Sequence, residues 1–343
     1  MRSSAKTSTK IWTCFALVLT SITSAAETAS PTPALAPSDR SIFTVTVEND
    51  FISNNDRLYT SGVRFANLLP EGKTLSLVDS TLGLFMKNDP SARHRYEVAL
   101  GQQLFTPSDL DSDTLITDDR PYAAWLYAAT GFTQIDNNVV DQVELSFGMV
   151  GPAALGEETQ DLIHNFIDAR IPNGWDNQLE NEPTLQLVMQ RSWLLLHEAE
   201  TGPVQVDLMP FVGGIVGNVY TAANAGAAFS IGSKSKRSYG SPRLGLTLPG
   251  NGYFNSSPGA FSWQIFSSVN GAYMARNLFL DGNTFRDSPY SIVKKKTLAE
   301  YQIGVQIVWG YNRFSFVNIT RSKEFESQDK AETYGAFSYS RAY

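Results

Sequence analysis

From about residue 41 to residue 343 the chain repeats one pattern, segments of alternating polarity separated by turn-forming stretches. Leu145-Ser146-Phe147-Gly148-Met149 and Tyr301-Gln302-Ile303-Gly304-Val305-Gln306-Ile307 show it plainly. A period of two places every second side chain on the same face of a strand. No apolar run of about 18 residues follows the N-terminal stretch, so the sequence offers no spanning helix there. The alternation predicts strands at roughly 41–48, 57–69, 94–105, 122–134, 139–150, 184–197, 203–217, 219–231, 261–278, 297–310, 311–323 and 332–343. The count of about twelve is even, and the last segment carries Phe337, Tyr339 and Tyr343 at alternate positions. Strand length, weak hydropathy and aromatic content together predict an all-β fold, a twelve-stranded antiparallel transmembrane β-barrel with one short helix in an outer loop. The rival is a soluble secreted β-protein.

Residues 1–26 read as a secretory signal, with Arg2, Lys6 and Lys10 before an apolar Ile11–Ile22 stretch and Ser24-Ala25-Ala26 as the small-residue cleavage site. Residues 27–40 are a Pro/Ala/Ser-rich lead-in, expected to be disordered, and 41–343 form the barrel. Loss of the three basic residues takes the formal net charge from -7 to -10. So acidic a chain argues against nucleic acid as a partner and is compatible with divalent cations. The only cysteine, Cys14, lies in the signal. Disulfides, cysteine nucleophiles and thiolate metal sites are therefore excluded from the mature chain.

Strand parity sorts the connections. With both termini periplasmic, loops 49–56, 106–121, 151–183, one near Asn218 and 279–296 face outward. Those at 70–93, 135–138, 198–202 and 232–260 face the periplasm, and two of these are long for periplasmic turns. The third outer loop contains a helix, Leu155 to Asp168. Leu162, Ile163, Phe166 and Ile167 share one side of it; Gln160, His164 and Asp168 share the other with Glu157 and Asp161.

Three histidines lie in the mature chain. His94 and His197 fall near periplasmic strand ends, whereas His164 lies on the polar face of the outer helix. A lone helical histidine is more often structural than catalytic. Here Gln160 stands one turn before it and Asp168 one turn after, and either is placed to orient the ring. Asn49 and Asp50 end the first strand at the same rim. They read either as an ordinary Asn-Asp turn or as the oxygen ligands of a hard cation such as calcium. The second outer loop carries Asp109, Asp111, Asp113, Asp118 and Asp119, and its acids read equally as a solvated rim. Tyr122, Trp125 and Tyr127 fit an aromatic girdle. No Gly-x-Ser-x-Gly elbow, His-Glu-x-x-His motif or serine two residues after His164 occurs.

Together these residues resemble the outer-membrane lipid A 3′-O-deacylase family, over nearly the whole span from Ser41 to Tyr343. The marks are Glu48-Asn49-Asp50 with Asp56-Arg57-x-Tyr59-Thr60-x-Gly62, then Asp119-Arg120-Pro121-Tyr122-Ala-x-Trp125-Leu126-Tyr127. Gly151-Pro152, Gln160-x-x-x-His164 and Gly174-Trp175-Asp176-Asn177-Gln178-Leu179-x-Asn181-Glu182-Pro183 complete the set. The resemblance implies a twelve-stranded barrel and a calcium-dependent ester hydrolase that removes the 3′-linked acyl chain of lipid A in lipopolysaccharide, within the outer leaflet of the outer membrane. In the family's mechanism, similar to that of secreted phospholipase A2, His164 would be the base that activates water. Calcium held partly by Asp50 would stabilise the oxyanion. Asn49, Thr60 and Gln160 match further site positions. A monomer is the default expectation.

Two departures from the family pattern stand out. Leu110 and Asp111 replace basic residues of the second outer loop, which moves the expected phosphate contacts to Arg57, Arg120 or the Lys294-Lys295-Lys296 run. Arg170 stands where a relative has an acid, so the second calcium ligand falls to Asp168, Asp119 or Glu182. Two rival functions remain: a catalytically silent barrel, either pore or structural, and an esterase of another envelope lipid.

Overall fold

The computed structural model describes residues 40–49, 58–73, 92–136, 138–198, 204–233, 254, 256–289 and 291–343. The proposed signal, nearly all of the lead-in, Asp50 and Arg57 lie outside these residues. The described strands are β1 (Ile42–Asn49), β2 (Leu58–Leu68), β3 (Arg93–Thr106), β4 (Ala123–Asp136), β5 (Val139–Val150), β6 (Glu182–Trp193), β7 (Leu196–Glu198), β8 (Val204–Gly217), β9 (Tyr220–Ser233), β10 (Phe261–Asn277), β11 (Thr297–Trp309), β12 (Asn312–Arg321) and β13 (Glu332–Ala342). Every pairing in the sheet is antiparallel: neighbours pair in sequence order, β1 pairs with β13, and β6 pairs with β8 to close the cylinder. The three-residue β7 resumes the line of β6 beyond Leu194-Leu195 and also pairs with β8. The result is a closed barrel of twelve staves, as the alternation predicts.

Which face is apolar decides the solvent. Along β11, Tyr301, Ile303, Val305, Ile307 and Trp309 are exposed, while Glu300, Gln302 and Gln306, which alternate with them, are buried. Phe147, Leu185 and Val216 are likewise exposed on the wall. A soluble β-protein turns its apolar face inward; this one turns it outward, as lipid requires. A closed cylinder also leaves no unpaired sheet edge in hydrocarbon.

Charged pairs and apolar clusters of the described residues project into the lumen. Arg64 bridges Glu97 at 2.9 Å and Glu144 at 2.7 Å, and Arg321 meets Glu300 at 2.9 Å. Buried charges of this kind are tolerable because each has a partner. At the end away from the termini, the distal end, the short helix Leu278–Asp281 folds into the mouth, and Phe279 stacks on Phe105 at 4.1 Å. Trp125 and Tyr127 also point into the lumen, stacked at 4.2 Å, with Trp125 Nε1 donating to Thr184 Oγ1. They are therefore not lipid-facing girdle residues: the strand's parity turns them inward. At the opposite end Phe254 is fully buried beneath the Arg313 guanidinium, among Ile42, Leu68, Ile135, Val140 and Val308.

The expected distal connections all fall at one end. That expectation omits a sixth, 322–331, which supplies Glu324. Arg120 Nη2 donates to Glu324 Oε2 at 2.5 Å, and Ser327 Oγ donates to the Asp118 carbonyl at 2.6 Å, tying this loop to the second one.

Candidate active site

The third distal loop lies against the outside of the wall. On β3, Val98 and Leu100 are exposed, so Gln102 and Leu104, two and four residues beyond Leu100, face outward with it. Gln102 Nε2 donates to the Ala154 carbonyl at 2.7 Å and the Leu155 carbonyl at 3.2 Å. Those residues lead into helix α1 (Gly156–Ile167), which Leu155 enters with φ 57. Gly156 seats the helix: a Cβ there would lie 2.5 Å from Ala124 Cβ and 2.6 Å from the Trp175 ring. Leu104, Leu110, Tyr122, Ala124, Ala154 and Trp175 form the apolar cluster beneath it. Burial there pushes the Tyr122 hydroxyl up to about 12.

The stripe of α1 turned to the protein is Gly156, Gln160 and His164, each one turn apart; Gln160 is 1% exposed and His164 9%. Trp175 Nε1 donates to Gln160 Oε1 at 2.8 Å. An indole nitrogen only donates, so this bond fixes the amide's orientation and leaves Gln160 Nε2 as a buried donor with no hydrogen-bond partner among the described residues. His164 Nδ1 is hydrogen-bonded to the Arg170 backbone carbonyl. A carbonyl only accepts, so Nδ1 is the donor here, and in the neutral ring the lone pair is on Nε2. Asp168, in the left-handed region with φ 61, turns the chain that presents this carbonyl, and its own N–H returns to the His164 carbonyl. The ring's orienting partner is therefore neither Gln160 nor Asp168, the two expected from helical spacing. Glu157, on the flank of α1, has its pKa raised by burial and by Asp161, Glu158 and Asp176.

Backbone pairing links this helix seat to the first hairpin. Asn49 pairs with Ser61, Ser61 with Leu104, and Leu104 with Ala124, the residue under Gly156. That row spans three strand spacings, roughly 14 Å. Thr60 has no counterpart on β3, because the register shifts between Tyr59 and Ser61. It is the extra residue of a bulge, a device that re-aims side chains.

Other candidates sit elsewhere. Arg120 is buried in the barrel mouth between Glu324 and the Phe105 and Phe325 rings, with its guanidinium carbon 5.3 Å and 5.9 Å from the ring centres. Burial raises the pKa of Glu324, but Arg120 and Arg321 outweigh this and hold its carboxyl below the usual range. Asp119 accepts from the Ser108 and Arg120 backbone N–H groups, both at 2.7 Å. Glu182 accepts from Asn218, Asn283 and the Thr284 N–H, fastening two other distal connections. Neither acid joins His164. Lys294 pairs with Asp281 and Lys295 with Glu326. Arg170 pairs with Asp111, so the two departures from the family pattern meet in one ion pair. Among the described residues no group of three or more His, Asp or Glu side chains is arranged to hold a metal ion. Of the four expected calcium ligands, Asp119 and Glu182 hold loops together, Asp168 caps α1, and Asp50 lies outside the described residues. Trp175, Glu324 and the Arg170 carbonyl were not among the expected site groups; a backbone carbonyl leaves no mark in a sequence.

No curated protein sequence matches the chain. Among solved structures, LpxR from Salmonella typhimurium superposes with a TM-score of 0.71 at 20% identity, covering 88% of this chain and 99% of that one. The beta domain of the Bordetella autotransporter BrkA follows at a TM-score of 0.46 and 9% identity, covering 89% of this chain and 100% of that one. The first of these shows the same fold. The family model described as outer membrane protein LpxR matches residues 12–343, and by that match over nearly its whole length the chain belongs to the LpxR family of outer-membrane proteins.

Proposed function

We propose that this outer-membrane barrel is a lipid A 3′-O-deacylase, hydrolysing the ester of the 3′-linked acyl chain. The observation that carries the proposal is the His164 ring, with its Nδ1–H held by the Arg170 carbonyl, which in the neutral ring turns the lone pair to Nε2. In this reading Nε2 takes a proton from water as the water oxygen attacks the ester carbonyl, and returns it to the 3′ oxygen as the acyl–oxygen bond breaks, giving a free carboxylic acid and a 3′-hydroxyl. The Gln160 amide, held from behind by Trp175, offers its free N–H to the water or to the substrate. Asn49 stands at the far end of the row that leads from α1, Thr60 is next in the chain to Ser61 of that row, and both would position the ester.

Calcium belongs to the same proposal. Asp50, with neighbouring backbone and amide carbonyls and with Asp168 as the second carboxylate, would supply the hard oxygen donors that this cation selects. When bound, the cation would stabilise negative charge developing on the ester oxygen. With Arg120 engaged by Glu324, Arg57 is the remaining candidate of the pair for a lipid phosphate.

The test is the lipid A mass spectrum of membranes carrying the folded protein. The expected result is loss of one acyl or acyloxyacyl group, abolished by chelator and by His164→Ala. Unchanged lipid A with the barrel verifiably inserted would sink the reading.

A further inference from the structure

Helix α1 has three sides, and only one of them faces the protein. Successive residues turn by roughly 100°, so Gly156, Gln160 and His164 make the buried stripe. Glu157, Glu158, Asp161 and Asn165 fall to one flank of it. Leu162, Ile163 and Phe166 fall to the other. These three are 72%, 37% and 52% exposed, an inversion of the apolar-inward arrangement of a surface helix in water. Leu155 and Ile171 prolong the apolar side beyond the helix ends, and both are exposed as well.

We infer that this flank of α1 is immersed in the acyl chains of the leaflet around the distal end, with the acidic flank turned toward water. Three features select lipid as the occupant. The helix is seated on the outward, lipid-facing side of β3 and β4 through Gln102 and Ala124. Its anchor Gln102 lies one side-chain repeat, about 7 Å, from exposed Leu100, so the apolar flank continues the belt of the barrel wall. The polar and apolar residues are split lengthwise, as in a helix lying in the plane of a bilayer interface. The inference holds whatever reaction the site performs. On the deacylase reading it adds a consequence: the stripe bearing His164 lies between the water-facing and lipid-facing flanks, the depth at which an acyl ester is found.

The only cysteine, Cys14, precedes the described barrel, so single nitroxide labels can be placed cleanly. Leu162→Cys, Phe166→Cys, Glu158→Cys and Leu100→Cys would each be labelled and reconstituted in vesicles of phosphatidylcholine and phosphatidylglycerol. Folded protein is verified by its heat-modifiable gel mobility. Labels at 162 and 166 are expected to match the Leu100 label in oxygen collision rate. Their collision rate with a nickel chelate should be at least about fivefold below that of the Glu158 label. Nickel accessibility equal to that at Glu158 overturns the inference. So does spin–spin broadening between copies at high lipid dilution, which would assign the flank to a second copy of the chain. Neither result depends on lipid A hydrolysis, so failure here and failure of the deacylase reading are separable.

Discussion

At His164, helical spacing suggests Gln160 or Asp168 as the orienting group, yet a backbone carbonyl six residues on does the work. Arg170→Ala keeps that carbonyl, and the Arg170–Asp111 pair it removes is exposed, of a kind worth about 0–1 kcal/mol. Lipid A deacylation by Arg170→Ala should therefore stay within roughly fivefold of the wild type. Trp175→Phe is expected to do more. It removes the bond that aims the Gln160 amide, worth about 0.5–1.5 kcal/mol, and should slow deacylation by up to about tenfold. Initial rates on purified lipopolysaccharide measure both; a larger loss in Arg170→Ala than in Trp175→Phe would contradict this assignment.

Among the elements, α1 and its seat set the site's position. Gly156 has no room for a side chain against Ala124 and Trp175, so Gly156→Val must lift or tilt the helix. A displacement of about 1 Å at a catalytic group costs on the order of a hundredfold in rate. We expect that loss with the barrel's heat-modifiable mobility unchanged, because the change lies outside the wall. The loop 322–331 has a pH dependence of its own. Glu324 is held below the usual carboxylate range, so its ionised form contributes stability fully above the unfolded value of about 4.3. That contribution is lost as pH falls through the lower folded value. The thermal midpoint should drop as pH falls below about 4, and Glu324→Gln should lower the midpoint at pH 7 and flatten the slope. An unchanged slope in that variant would remove Glu324 as the cause.

For the molecule as a whole, the side chains that project into the lumen bear on the choice between the enzyme reading and the pore. Among the described residues, Arg64 with Glu97 and Glu144, the Leu278–Asp281 helix at one mouth and Phe254 at the other all project into it. Planar-bilayer recordings of the purified protein are expected to show no stable single-channel steps. Sustained conductance would favour a transport role and count against this account.

Much of this was legible in the residues themselves. Period-two alternation is a local property, and outward apolar residues such as those of β11 need only lipid to explain them; strand number and the ends at which loops emerge follow by counting. The 3.6-residue period likewise marked α1 and the side shared by Gln160 and His164. What the sequence could not supply was the partner of each side, because that depends on where a loop folds back. Tertiary structure alone put α1 against the outer wall instead of over the mouth, turned Trp125 and Tyr127 inward, and gave Arg120 to Glu324, 204 residues away. It also brought the Arg170 carbonyl to His164. Periodicity is written into neighbouring residues, whereas hydrogen-bond partners across loops are decided only when the closed barrel brings them within reach.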